Sequence, residues 1–124
     1  MNSSQSPEAV VQCQLDAYNA RDLKSWLATY AQDAQQFEHP AKLLTTGHSE
    51  IEARTAPRFQ EPNLHAKLLQ RSVMGSVVVD HEVVTRTFPE GPGTIELICI
   101  YEVRDGKIRT ASFVFGAKTV GLVS

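Results

Sequence analysis

His39 is the side chain of this sequence best suited to moving a proton. An imidazole with an ordinary pKa of roughly 6.5 changes charge near neutral pH and needs little tuning to act as a general base or acid. It closes the run from Tyr30 to Pro40, and an extended backbone there turns Phe37 and His39 to one side. The opposite parity buries Gln36 and Glu38 and turns out Phe37, the only large apolar residue of the strand. We therefore expect His39, rather than Glu38, to face inward. A second polar candidate is Gln14, which lies beside Val11, Leu15 and Tyr18 on the apolar face of the first predicted helix. His81, between Asp80 and Glu82, must face opposite to both; it is either a surface residue or a partner for His39 across the interior.

Other chemistries have weaker support. His39, His65 and His81 are not spaced as neighbours on one strand or one helical turn, so no metal site is expected. The two cysteines, Cys13 and Cys99, lack CxxC spacing and the density of a disulfide scaffold, and read as reduced thiols. The apolar neighbours of Cys99 mark it as an inert buried thiol rather than a nucleophile.

Local signals define the elements that must carry these groups. Ser6-Pro7-Glu8 starts a helix running to about Asn19. Asp22 caps a second helix, whose apolar stripe is Leu23, Trp26, Leu27 and Tyr30. Ser49 caps a third through Ile51 and Ala53, which Pro57 splits or kinks before Phe59. Residues 64–73 and 77–88 read as strands joined near Gly75-Ser76. Strands over 94–103 and 107–116 are hinged at Asp105-Gly106, a strong hairpin signal. Helices first and antiparallel hairpins after give an α+β order, with helices on one face of a curved sheet. The run Leu97-Ile98-Cys99-Ile100-Tyr101 is apolar at both parities, so the outer sheet face is expected to meet a second copy in a homodimer, with Ile98 and Ile100 at its centre if Cys99 and Tyr101 face inward.

A chain of 124 residues is one domain, 1–124, with Met1 to Gln5 as a flexible lead-in. Its net charge of −2 and scattered Lys and Arg show no footprint for nucleic acid. Neither a leader nor an apolar run of the ~20 residues that span a membrane is visible, so a cytoplasmic protein without membrane attachment is expected.

The order of Tyr18-Asn19-Ala20-Arg21-Asp22, Ala31-Gln32-Asp33-Ala34, Gly47 with Ile51, and the hairpin from Tyr101 to Ile108 resembles the nuclear transport factor 2-like superfamily, in its SnoaL-like and ketosteroid isomerase-like branch. The resemblance covers nearly the whole chain. It implies a cone-shaped, cystatin-like α+β fold, three N-terminal helices on a strongly curved, mainly antiparallel sheet. It places His39, or in an ungapped match Glu38, at the isomerase base. Gln14 falls at the oxyanion tyrosine, Cys99 at the second acid, and Tyr30 behind the site. The same frame implies a lining of Tyr18, Phe37, Phe59, Tyr101, Val103, Phe113 and Phe115.

Because Gln14 and Cys99 replace both oxyanion donors, the pattern is not that of a true steroid Δ-isomerase. The expectation is a cofactor-independent isomerase, lyase or cyclase that moves a proton on an apolar, carbonyl-bearing molecule. Two alternatives stay open: a non-catalytic binding domain for an apolar metabolite, and a dimerisation module with a vestigial cavity.

Overall fold

The computed structural model describes residues 5–121. The lead-in expected over Met1 to Gln5 falls, apart from an exposed Gln5, outside the described residues. Ser6 accepts the Ala9 N–H at 3.1 Å and Pro7 fills the first helical position, so α1 (Pro7–Asn19) starts as its sequence demands. Arg21 adopts a left-handed φ of 54°, which turns the chain sharply. Asp22 then accepts the Ser25 N–H at 3.1 Å to begin α2 (Leu23–Ala28). Tyr30 does not complete the α2 stripe, as the periodicity suggested. The Lys107 ammonium donates to the Ala28 carbonyl at 2.7 Å, the helix stops, and Tyr30 opens β1 (Tyr30–Glu38).

β1 pairs with a short strand that the sequence pattern did not reveal, β2 (Lys42–Thr46). The third helix, α3 (Gly47–Thr55), begins before the expected Ser49 cap, because the Glu50 carboxylate reaches back to accept the Thr46 N–H at 2.8 Å. Pro57 splits it as expected, leaving a 3₁₀ turn over Ala56–Gln60. Four long strands follow: β3 (His65–Met74), β4 (Val77–Phe88), β5 (Gly91–Arg104) and β6 (Lys107–Val120). Asp105 and Gly106, with φ of 54° and 73°, make the β5–β6 hairpin turn.

The six strands form one sheet in the order β2-β1-β6-β5-β4-β3. Every neighbouring pair is antiparallel except β1 with β6. The helices lie on one face: α1 packs across β3 to β6, and α3 against β1 and β2. Asn19 fixes α1 to the sheet edge, its side-chain amide exchanging two hydrogen bonds with the Ala66 backbone at 2.9 and 2.8 Å. Along β5 the expected alternation holds, with Cys99 and Tyr101 buried inside and Ile98 and Ile100 on the outer face, Ile98 36 % exposed. No helix among the described residues is long and apolar enough to cross a membrane.

The parity of β1 is the reverse of the one expected. Ala34 and Gln36 are buried, Phe37 and Glu38 are half-buried, and His39 is exposed beside Pro40, where the chain turns into β2. Gln36 tolerates burial because its amide oxygen accepts the Thr45 hydroxyl at 3.0 Å. With that polar group satisfied, nothing forces Phe37 inward.

One ion pair lies under the sheet's inner face. Arg71 grips both oxygens of Asp80, at 2.7 and 2.9 Å, and also donates to Gln12 of α1 at 2.8 Å. Asp80 is fully buried. Asp80→Ala leaves the guanidinium without its anion, and is expected to lower unfolding stability by about 3–5 kcal/mol. The double variant Arg71→Met/Asp80→Val is expected to fall well below the sum of the single changes. Urea unfolding of Asp80→Ala, of Arg71→Met and Asp80→Val singly, and of the double variant checks this; additive losses would mean that the pair is not coupled.

Candidate active site

The three helices and the inner sheet face enclose a cavity of about 70 Å³. Its floor is aromatic. Trp26 tilts against Tyr30 at 4.9 Å between ring centroids and meets Phe59 at 5.6 Å, while Tyr18 stands edge-on to Phe59 at 5.4 Å. Leu97, Val84 and Leu15 make the apolar walls, and Phe113 and Phe115 rise at the mouth, Phe115 being 41 % exposed.

Of the residues expected to line a site, the fold brings Gln14, Tyr18, Tyr30, Cys99, Tyr101, Phe113 and Phe115 to this cavity. Four are elsewhere. His39 is exposed past the end of β1, Phe37 points to the other side of that strand, and Phe59 supports the floor from behind Tyr18 and Trp26. His81 stands on the outer face, where its ring pairs with Glu96 across β4 and β5. It therefore makes no pair with His39. Val103 is buried in the core beyond the cavity lining.

The group the sequence reading passed over is Glu82. It follows Asp80 by two residues on β4, so both carboxyls share the inner face, and it lies in the cavity wall only 5 % exposed. Arg71 is committed to Asp80, and Glu82 has no ion-pair partner among the described residues. Burial, reinforced by the Asp80 charge, pushes the Glu82 carboxyl up to about 7, against weaker opposing pulls from Arg71 and the Cys99 thiol. Parity held the signal: if His81 faces out, Asp80 and Glu82 face in. Valines on both faces of β4 concealed which side was the interior.

Phenols and orphan polar atoms surround this carboxyl. Burial pushes Tyr18 up to about 12, with Arg58 and Arg86 pulling it down. It raises Tyr30 and Tyr101 further, so all three hydroxyls are neutral donors across the working range. Burial likewise raises the Cys99 thiol, which remains protonated. The Gln14 amide oxygen and the Trp26 indole nitrogen are both buried without a hydrogen-bond partner among the described residues. Buried polar atoms seldom go unpaired, and here both belong to residues that line the same cavity. Arg54 and Arg58, also absent from the expected lining, stand toward the mouth.

A cone of three helices on a curved, six-stranded sheet, with an apolar cavity inside, places the protein in the nuclear transport factor 2-like superfamily. Within it the chain belongs to the SnoaL-like domain family, whose model matches residues 11–111. No curated protein matches the chain in sequence. Among solved structures, a cystatin-fold protein from Novosphingobium aromaticivorans superposes with a TM-score of 0.80 at 21 % identity, over 89 % of this chain and 98 % of that one. An LEH-like epoxide hydrolase from M. tuberculosis gives 0.74 at 15 % identity, over 89 % and 82 %. A protein of ketosteroid isomerase-like fold from Catenulispora acidiphila, in complex with trimethylamine, gives 0.68 at 18 %, over 88 % and 85 %. At these identities the likeness is one of fold.

Glu82 leaves a signature that needs no substrate. Its carboxyl holds a proton more tightly in the folded chain, at about 7, than at the ordinary 4.5. Between those values the folded state binds more protons than the unfolded one. The associated stability is therefore complete below about pH 4.5 and is lost as pH rises through 7, a change on the order of 3 kcal/mol. Glu82→Gln is expected to remove this fall and to be more stable than the parent at pH 8. Denaturant midpoints at pH 5 and pH 8 check it; an unchanged slope in the variant would assign the titration to another group.

Proposed function

We propose that the cavity binds a small carbonyl-bearing molecule and that Glu82 transfers a proton within it. One observation carries this: a carboxyl without a cation, set in an apolar wall beside unpartnered polar atoms of Gln14 and Trp26. A carboxyl tuned close to neutral pH is present in both protonation states, which proton transfer in two directions requires.

In the step we envisage, ionised Glu82 takes a proton from a carbon next to the carbonyl. The electron pair of that C–H bond moves toward the oxygen, and the protonated carboxyl returns the proton to the same or a neighbouring carbon. Neutral donors, the Tyr18 hydroxyl and the Trp26 N–H, are available for the enolate oxygen. No cofactor enters this scheme. In this scheme Glu82 takes the role expected of His39, because the exposed His39 does not line the cavity. The epoxide hydrolase among the structural neighbours suggests a second use of the same carboxyl, as a base that activates water toward an epoxide.

The enclosed volume limits what enters. At about 70 Å³ it is roughly half the ~150 Å³ cavity that holds benzene, so a polycyclic body does not fit inside and only the reacting end is engulfed. The test is a set of short ketones in deuterated buffer, followed by NMR for exchange of α-hydrogens, with small epoxides assayed for diol formation. Glu82→Gln should lower the rate by on the order of 10² to 10⁴, while His39→Asn should leave it unchanged. Ligand-induced shifts without exchange or ring opening, equal in parent and Glu82→Gln, would favour the binding-domain alternative.

A homodimer through the outer sheet face is part of the proposal, supported by the outward Ile98 and Ile100 beside exposed Leu69. Light scattering at micromolar concentration is expected to give twice the chain mass for the parent and the single-chain mass for Ile100→Lys. A monomeric parent would remove this part of the reading.

A further inference from the structure

Two arginines, Arg54 and Arg58, line the cavity, and Arg86 is near enough to act on both. Arg54 comes from α3, Arg58 from the 3₁₀ turn and Arg86 from the end of β4. The Arg54 guanidinium lies over the Phe113 ring, 5.8 Å from its centroid, and Arg86 lies over Phe88 at 4.8 Å. Ion pairs of the described residues involve Arg71, Arg104, Arg109, His81 and Lys118; none involves these three. Glu38 is the acid nearest in influence to Arg54, and Glu61 to Arg58, yet neither comes within the 4.0 Å of an ion pair. Glu61 instead accepts the Thr87 N–H at 2.8 Å. The Arg86 Nε is itself buried with no partner.

Like charges drawn together at a half-buried rim repel one another, and each loses part of its hydration. Burial lowers the pKa of both Arg54 and Arg58, and the neighbouring guanidiniums lower it further. A folded chain holds such a cluster at a cost that an arriving anion offsets. Guanidinium is also the group that matches a carboxylate two bonds at a time.

Arg54, Arg58 and Glu82 line one cavity, yet among the described residues no ion pair joins the acid to either guanidinium. Tyr18 and Tyr30 share that lining. A molecule with a carboxylate at one end and a reactive carbon at the other would be held in one direction only. Its midsection would run past Leu97, Phe113 and Phe115.

We propose that Arg54 and Arg58 form a subsite for the carboxylate of a short amphipathic acid whose opposite end reaches into the cavity toward Glu82. This narrows the substrate class from an apolar carbonyl compound to an oxo acid, and it rests on the reading of the cone as a ligand cavity. The orientation is then set at both places: burial beside Glu82 rejects a second carboxylate, and the unpaired arginines accept it.

The probes are octanoate and octanamide, which share one chain and differ in charge, titrated calorimetrically into the full-length protein. Octanoate is expected to bind roughly tenfold more tightly or better, with the advantage shrinking as salt is raised. Arg54→Gln/Arg58→Gln should abolish that advantage while leaving octanamide binding in place. Arg54→Lys/Arg58→Lys, which keeps the charge and loses the paired geometry, should retain part of it; circular dichroism confirms the fold of each variant. Equal binding of the two probes to the parent would overturn the anion subsite and leave the cavity reading standing. An octanoate preference that survives in the Gln variant would also overturn it. Binding of neither probe at millimolar concentration would overturn both.

Discussion

Two carboxyls on the inner face of one strand, with a single guanidinium between them, are the constraint around which this interior is arranged. Asp80 takes both arms of Arg71 and is fully buried. Glu82, one side-chain repeat further along, is left without a cation in a wall of Val84, Leu97 and Tyr101. A buried carboxylate with no partner is unfavourable by several kcal/mol, and the group responds by holding its proton. Replacement by an apolar residue would relieve the cost, so this carboxyl does not serve stability, and the proposed proton transfer gives it a use.

Neighbouring residues determine how finely that proton is held. Arg71 lowers the affinity of Glu82 for it only weakly, because its charge is already met by Asp80 and its third donor by Gln12 of α1. The same arginine thereby ties the position of α1 to the state of β4. α1 in turn carries Gln14 and Tyr18, and the Asn19 amide fixes its end to the Ala66 backbone. The helix that presents polar atoms to the cavity is thus tied at its middle and at its C-terminal end to β3. A polar group held on a rigid element keeps its position when a ligand arrives, and that limits the entropy lost on binding.

Much of this was legible in the sequence and one decisive part was not. Ser6-Pro7, Asp22, Pro57 and Asp105-Gly106 act through backbone chemistry at single positions, and each marked its boundary or break where the structure has it. Which parity of β5 faces inward was open in the sequence, apolar at both, and the structure decides it by burying Cys99 and Tyr101. β2 gave no signal, since Lys42–Thr46 has neither length nor alternation and exists because β1 offers an edge. The side of β1 that faces the cavity depended on whether Gln36 or Phe37 could be buried more cheaply. That balance rests on Thr45, a partner nine residues away whose contact no local pattern reports. Once that parity reversed, His39 went to the surface with it.

The acid and the arginines were hidden for a related reason. Charged residues on a strand or helix are usually solvated, and Glu82, Arg54 and Arg58 each look ordinary in isolation. Their meaning comes from convergence: β4, α3 and the 3₁₀ turn bring them to one cavity from three separate stretches of chain. Opposite charges placed at contact would have neutralised each other in an inert pair, as Arg71 and Asp80 do. Left out of contact, Glu82 and the two arginines keep their charges unmatched within one cavity lining. Unmatched charge of that kind is what the proposed oxo acid would meet, with its carboxylate on the guanidiniums and its reactive carbon toward the acid.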